Sequence, residues 1–442
     1  MANTLWLPRP GSGSGWNVAA PAALLMAPMI LGTALLVLVP EIWIAFLAWR
    51  HRAWLTASIF GVVIAVVGGS TFMNEVSNDG VSSHGRRRHP GDRRLRLRLL
   101  PNPHHCHTVA MTEHPVDSTS SLAENSLPTP PNSLWVTWVV RVVAAAGILV
   151  VAWACVTGWG AIVHGYPLYA VLLLATLIGS AFIGSRTLHP RPTRTGWRRI
   201  IRIVLVLASI GWVGLMAWLR PFTAAEPALA AMSSDAKVTV AEYPTQIVMT
   251  PTGSASHTGV FFQPGAKVDA RAYAAVLRPL AESGFTVIIP KQPLGIAFFS
   301  ITTFDATKPS YPAITRWFVG GHSLGGSIAA MQADSGDHDP TAPVVGLLLY
   351  ASYPVSDIST SLSAKVLSLS ATNDGLATPD KVEASKPTLP AGSTFTAIDG
   401  AVHAFFGDYG PQPGDGTPAI SHDDARTQIS RDSVDFVLNL SK

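Results

Sequence analysis

The chain has 442 residues, enough for two or three domains, because single cores stop growing near about 250–300 residues. Hydrophobic residues make up 48% and charged residues only 13%, against roughly 25% charged in an average soluble domain, which excludes a wholly soluble protein. From Ala236 onward 13 Lys and Arg stand against 18 Asp and Glu, leaving 18 basic and 9 acidic residues before it. The basicity therefore belongs to the apolar half, and the acidic half offers no electrostatic footprint for nucleic acid.

Five apolar runs follow in chain order. The first is Ala22 to Val39, continuing through Leu47, and the second is Trp54 to Phe72. The third is Leu134 to Val156, the fourth Tyr166 to Ile183 and the fifth Ile200 to Leu219. Each approaches the ~20 apolar residues that a membrane-spanning helix needs. The connection between the fourth and fifth runs holds Arg186, Arg191, Arg194, Arg198, Arg199 and Arg202. Positive loops stay in the cytoplasm, so the fifth span runs outward and everything after Arg220 is expected outside. Mid-membrane acidic residues are lacking, which disfavours a transporter, and Arg141 in the third run has no evident role.

The first two runs fit this orientation less well. Arg50, His51 and Arg52 lie in their short connection, while Gly85 to Leu100 carries seven arginines. One of the two segments must violate the positive-inside tendency. His84 to His107 is rich in Arg, His and Pro with almost no folding pattern, and Met111 would serve as a natural start. Two readings stand side by side for residues 1–110. They are an extended or frame-shifted reading frame, or native spans with a disordered cytoplasmic loop. An intact mass beginning at Met1 would refute the first. The division expected is 1–110 as this apolar region, 111–220 as a three-span anchor, 221–236 as a linker and 237–442 as a folded domain. The cysteines, Cys106 and Cys155, both precede that domain, so no disulfide or thiolate metal site can form within it.

In the C-terminal part, strands are predicted at Thr258 to Gln263, Phe285 to Ile289, Trp317 to Gly320, Val344 to Tyr350, Lys365 to Ser370 and Thr394 to Ile398. Helices are predicted over Ala270 to Glu282, Ser327 to Ala333, Pro379 to Ala384 and Asp424 to Leu440. Near-continuous apolar strands alternating with helices indicate an α/β domain built on a mainly parallel sheet covered on both faces. About two hundred residues suffice for one such core, with little left for a cap.

Gly321-His322-Ser323-Leu324-Gly325 lies between a predicted strand and a predicted helix. A serine on so tight a turn needs glycines two before and two after, and the turn lifts its hydroxyl to solvent at a helix N-terminus. The Leu324 amide would be one oxyanion donor, with a second from Gly265 or Ala266 after the first strand. Serine at neutral pH needs a base and an orienting acid, and in this chain order the acid comes before the base. Asp374 follows the strand Lys365 to Ser370, and His403 follows the strand ending at Ile398. Asp357 is the alternative acid. Asp399 stands too close to His403 and reads as a turn residue. His322 reads as a packing residue, and His257, His338 and His422 as surface positions.

The run Gly320 to Gly326, the turn Asn373-Asp374-Gly375, and His403 followed by Phe406 to Gly416 resemble the small-cap branch of the α/β-hydrolase superfamily, largely bacterial carboxylesterase-like proteins. The resemblance covers about Val260 to Leu440 and none of the spans. It implies the α/β-hydrolase fold, Ser323 as nucleophile, Asp374 as acid, His403 as base, and neither metal nor organic cofactor. Where that family shows Gly-Gly or Pro-Gly-Gly after the first strand, this chain has Pro264-Gly265-Ala266.

The expected protein is a multi-pass, membrane-anchored serine hydrolase acting on a small-molecule ester, its catalytic domain outside the cytoplasm. Thioesterase, peptidase or lipid deacylase activity on the same residues, and a non-catalytic hydrolase-like binding scaffold, are the alternatives. The short stretch between Tyr350 and Lys365 leaves no room for a lid, which predicts an open site for short or exposed esters. Lys291 to Phe299 is apolar for a loop, and is read as a small cover or a contact with the membrane surface. Gly407 to Gly416 is read as an ordered loop fixing the histidine turn, with Asp408 or Asp415 capping N–H groups; lining a pocket is its other reading.

Overall fold

The computed structural model describes residues 134–188 and 196–441. The first two apolar runs, the arginine-rich segment, Cys106 and Met111 lie outside the described residues, as do Arg191 and Arg194.

Among the described residues, three helices are long and apolar enough to cross a membrane. They are α1 (Leu134–His164), α2 (Pro167–Arg186) and α3 (Trp197–Trp218). Large apolar side chains point outward all along them, including Trp138, Leu149, Val156, Ile178, Phe182, Ile200 and Leu207. Apolar exposure on that scale has no place on a soluble monomer and is what lipid would cover. The 31 residues of α1 rise about 46 Å, well beyond the ~30 Å of a hydrocarbon core. Its backbone leaves helical geometry at Gly158 (φ −138°, ψ 17°), where the helix is kinked. Arg141 acquires a role here. Its guanidinium donates to Thr187 Oγ1 (3.3 Å) and to the Thr187 carbonyl (3.0 Å), closing the C-terminus of α2, where a cation is favoured.

The stretch 221–236, expected as a linker, is built into the domain. Phe222 bridges Val268 in parallel and packs on Tyr409, with ring centroids 5.8 Å apart. A short helix, α4 (Ala228–Ala231), follows, and Ala228 is fully buried in the main core. Arg278 fastens the stretch further by donating to the carbonyls of Ala231 (2.6 Å) and Ser233 (2.9 Å) and pairing with Asp235. Alanines and a lone phenylalanine show no periodicity, which is why the stretch reads as a linker in sequence.

The domain then runs β1 (Val238–Glu242), β2 (Gln246–Pro251), β3 (Thr258–Gln263), α5 (Ala274–Glu282) and β4 (Thr286–Pro290). Next come α6 (Thr303–Thr307), β5 (Arg316–His322), α7 (Leu324–Gly336), β6 (Val344–Tyr350) and β7 (Lys365–Ala371). It closes with α8 (Pro379–Ser385), β8 (Thr394–Ile398) and α9 (His422–Leu440). The strands form one sheet in the order β1-β2-β4-β3-β5-β6-β7-β8. The β1–β2 and β2–β4 pairings are antiparallel and the others parallel, with Gln263 at the end of β3 in register with Gly321 of β5. Every residue of β3 and β4 is buried, as a strand covered on both faces requires.

One core lies between the sheet and the pair α5 and α9, with Leu277, Leu280, Ile429 and Val437 at its centre. The other lies under α7, with Phe304, Trp317, Ala329 and Ala333. The β1–β2 hairpin was not among the predicted strands. β1 buries only Val238 fully, and so short and half-exposed a strand gives almost no alternating signal.

Candidate active site

β5 ends in Gly320-Gly321-His322, and the chain reverses into α7 at Ser323, which sits at φ 53°, ψ −127°. A non-glycine residue there is strained and persists only where its surroundings over-determine it. Neighbouring glycines do so. A Cβ on Gly321 would stand 2.5 Å from the Gly325 carbonyl carbon, and one on Gly325 only 2.2 Å from the Pro264 oxygen. The Ser323 amide donates to the Tyr350 carbonyl (3.0 Å), and its own carbonyl accepts from Ser352 Oγ (2.6 Å). Ser352, buried at the end of β6, carried no signal in the sequence; only the fold brings it to the turn.

Asp374 and His403 come together as expected. Asp374, in the turn after β7, has no exposed side chain; its Oδ1 accepts from the Leu376 and Ala377 amides at 2.7 Å each. Its Oδ2 lies 2.8 Å from His403 Nδ1. A carboxylate only accepts, so Nδ1 carries the proton and Nε2 is left as the basic nitrogen. That Nε2 has no hydrogen-bond partner among the described residues. The His403 ring lies 4.5 Å, centroid to centroid, from that of His322, the residue beside Ser323. The arrangement brings a serine hydroxyl and an oriented, unengaged imidazole nitrogen to one edge of the sheet.

Asp415 sets the histidine turn. Its Oδ1 accepts from the amides of His403 (3.1 Å), Gly375 (3.2 Å) and Gly416 (2.8 Å), and its Oδ2 from that of Ala404 (2.8 Å). One carboxylate thus ties the turn that carries Asp374 to the turn that carries His403. Asp408 holds the other end of the Gly407–Gly416 segment, accepting from Arg426 (2.6 Å) and standing 3.3 Å from His422 Nε2. Burial raises the Asp408 carboxyl above its ordinary range against the opposing pull of Arg426. His422, read as a surface position, is half-buried and stacks on Phe405 at 4.4 Å.

The other expected residues sort as follows. Asp357 is exposed and caps the Ser359 amide (2.9 Å), and Asp399 is exposed and accepts from Thr372. Neither reaches His403. His257 and His338 are exposed. His322 is fully buried, and burial, reinforced by the neighbouring His403, pushes its imidazole well below the ordinary range, so it stays neutral. Its Nδ1 lies 2.8 Å from the Tyr273 hydroxyl, which accepts from the Gly265 amide, also at 2.8 Å.

That bond corrects the oxyanion expectation. The Gly265 amide is engaged by Tyr273, so of the two donors expected after β3 only the Ala266 amide is without a partner among the described hydrogen bonds, as is that of Leu324. Tyr273 reads in sequence as one more core position of a helix. Its hydroxyl gains a purpose only once β3 and β5 are aligned.

Residues 259–427 match the model of the alpha/beta hydrolase family. The domain has the α/β-hydrolase fold. Among solved structures, the hydrolase domain is similar to a thermostable esterase from Pseudomonas putida, at 16% identity over 48% of this chain and 87% of that one, with a TM-score of 0.36. It is similar to an esterase from Pyrobaculum calidifontis, at 14% identity over 48% and 89%, with a TM-score of 0.34. It is also similar to the esterase domain of a Rhodothermus marinus protein, at 11% identity over 47% and 100%, with a TM-score of 0.36. No curated protein matches the chain.

Proposed function

We propose that the chain is a membrane-anchored serine hydrolase that cleaves carboxylic esters through an acyl-enzyme, with Ser323 as nucleophile. One observation supports the reading: the buried Asp374–His403 pair leaves Nε2 without a partner at the sheet edge where Ser323 is held at positive φ. Ser323 Oγ attacks the ester carbonyl carbon while His403 Nε2 takes the hydroxyl proton. The oxygen that becomes negative is met by the Leu324 and Ala266 amides, and the N-terminus of α7 adds its dipole. Collapse breaks the bond to the alcohol oxygen, which leaves with the proton from His403. Water then repeats the sequence on the acyl-enzyme, giving up a proton to Nε2 and releasing the acid with Ser323 restored. Asp374 keeps Nδ1 protonated and stabilises the imidazolium at each stage.

The three apolar helices hold this domain at the cell membrane. Arg186, Arg198, Arg199 and Arg202 lie at the C-terminal end of α2 and the N-terminal end of α3, and Arg141 is bonded there too. The hydrolase domain contacts the opposite ends of the helices, through Glu242 to His164 and Lys267 to Trp218. Positive loops stay inside, which supports an extracytoplasmic hydrolase domain.

The test uses the full chain in detergent with p-nitrophenyl esters of increasing acyl length. Turnover that falls by about 10³-fold or more in Ser323→Ala, the loss typical of a removed nucleophile, is the expected result. Turnover unchanged by that substitution would sink the reading.

A further inference from the structure

The catalytic edge and the membrane helices share one loop. Gly265 to Val268, which presents the Ala266 amide, is fastened to the anchor. The Phe222 amide, four residues past α3, donates to the Lys267 carbonyl (2.7 Å), and the Asp269 amide returns a bond to the Phe222 carbonyl (2.9 Å). Lys267 Nζ donates to the Trp218 carbonyl at the end of α3 (2.8 Å) and lies 4.5 Å above the Trp218 ring. The Lys267 amide donates to the Gly295 carbonyl (2.6 Å), tying in the apolar loop after β4.

That second loop lies against the anchor as well. Leu294 packs on the cluster of Tyr169, Leu173, Met216 and Leu219 contributed by the membrane helices and the residue after α3. The 20 residues of α2 rise about 30 Å, the thickness of a hydrocarbon core, so its first turn around Tyr169 marks the bilayer boundary. The loop carrying the Ala266 amide therefore stands at that boundary.

The exposed apolar side chains follow the same plan. Within the hydrolase domain, the large apolar residues standing exposed are Tyr243, Phe299, Ile301, Val355 and Leu438. Three of the five sit on loops at the catalytic edge: Phe299 (40% exposed) and Ile301 (37%) after β4, and Val355 (58%), three residues after the Ser352 that bonds the Ser323 carbonyl. Tyr243 adjoins Glu242, which pairs with His164 at the end of α1 (3.0 Å). Apolar side chains beside a bilayer boundary partition into it.

We propose that the site draws its ester from the bilayer: the substrate is a lipid ester whose acyl chain stays in the membrane while Phe299, Ile301 and Val355 dip into the interface and guide the carbonyl to Ser323. The short connection between β6 and β7, expected to leave no room for a lid, suits this, because the chain beyond the ester needs no pocket. The proposal rests on the serine-esterase reading.

The full chain is reconstituted in phosphatidylcholine vesicles, and turnover of p-nitrophenyl palmitate in the vesicles is compared with that of p-nitrophenyl acetate in the aqueous phase. Phe299→Ser with Ile301→Ser should lower turnover of the vesicle-borne ester by about tenfold, reflecting two apolar side chains removed from the interface, and leave the soluble ester unchanged. Fluorophosphonate labelling of Ser323 checks that the site is intact, and Val355→Ser serves as a second variant with the same expected selectivity. With labelling intact, a wild type that cleaves only the soluble ester, or variants that leave the ratio of the two rates unchanged, overturns the proposal. Cleavage of neither ester by the wild type, with Ser323 unlabelled, instead overturns the esterase reading beneath it.

Discussion

Asp374 illustrates how one side chain fixes another's chemistry. Two amides at 2.7 Å hold one of its oxygens, so the other is aimed at His403 Nδ1 and cannot turn away. Replacing that carboxylate by an amide keeps the shape but offers Nδ1 an N–H as readily as an oxygen, which favours the wrong tautomer and leaves Nε2 protonated. Asp374→Asn is therefore expected to lower kcat on the order of 10³–10⁴-fold with KM little changed, read by steady-state kinetics on a p-nitrophenyl ester. A loss of under tenfold would show that the orientation matters little. At this scale the sequence is most legible for residues whose role is local. Ser323 is marked by flanking glycines, and Asp374 and His403 by following predicted strands. Tyr273 and Ser352 act only through residues far away in the chain, and no spacing announces them.

At the scale of elements, three strands have the bounds expected, Thr258–Gln263, Val344–Tyr350 and Thr394–Ile398, because short runs rich in β-branched, aromatic and aliphatic residues between turn residues leave little freedom. What escapes sequence reading is the join between anchor and domain. The β1–β2 hairpin and the stretch from Phe222 to Ala231 are short, half-exposed pieces whose order comes from tertiary contacts. Phe222 makes the point quantitatively. Its ring packs on Tyr409 and against the core while its backbone pairs with Lys267 and Asp269. Phe222→Ala should destabilise the hydrolase domain by about 2–3 kcal/mol, somewhat less than a fully buried phenylalanine, measured by denaturant unfolding of the detergent-solubilised chain. A change under about 0.5 kcal/mol, the range of ordinary surface substitutions, would return the stretch to the status of a linker. A domain truncated at Ala236 loses these contacts altogether, so activity assays belong on the longer chain.

For the molecule as a whole, the charge split legible in composition becomes a spatial one. Arginines gather at one end of the three helices, and the acidic hydrolase domain contacts the other. The orientation this supports predicts that protease added outside intact spheroplasts digests the hydrolase domain, whereas digestion only after permeabilisation would place it in the cytoplasm. The same architecture gathers Ser323, Asp374 and His403 at one edge of one sheet, so the proposed function rests on Ser323. The most direct measurement treats the full chain with a fluorophosphonate and maps the adduct by peptide mass spectrometry. A single phosphonylated residue, Ser323, is expected, with labelling lost in Ser323→Ala and slowed in Asp374→Asn. An adduct on another residue, or none at reagent concentrations that inactivate ordinary serine hydrolases, would contradict the proposed function.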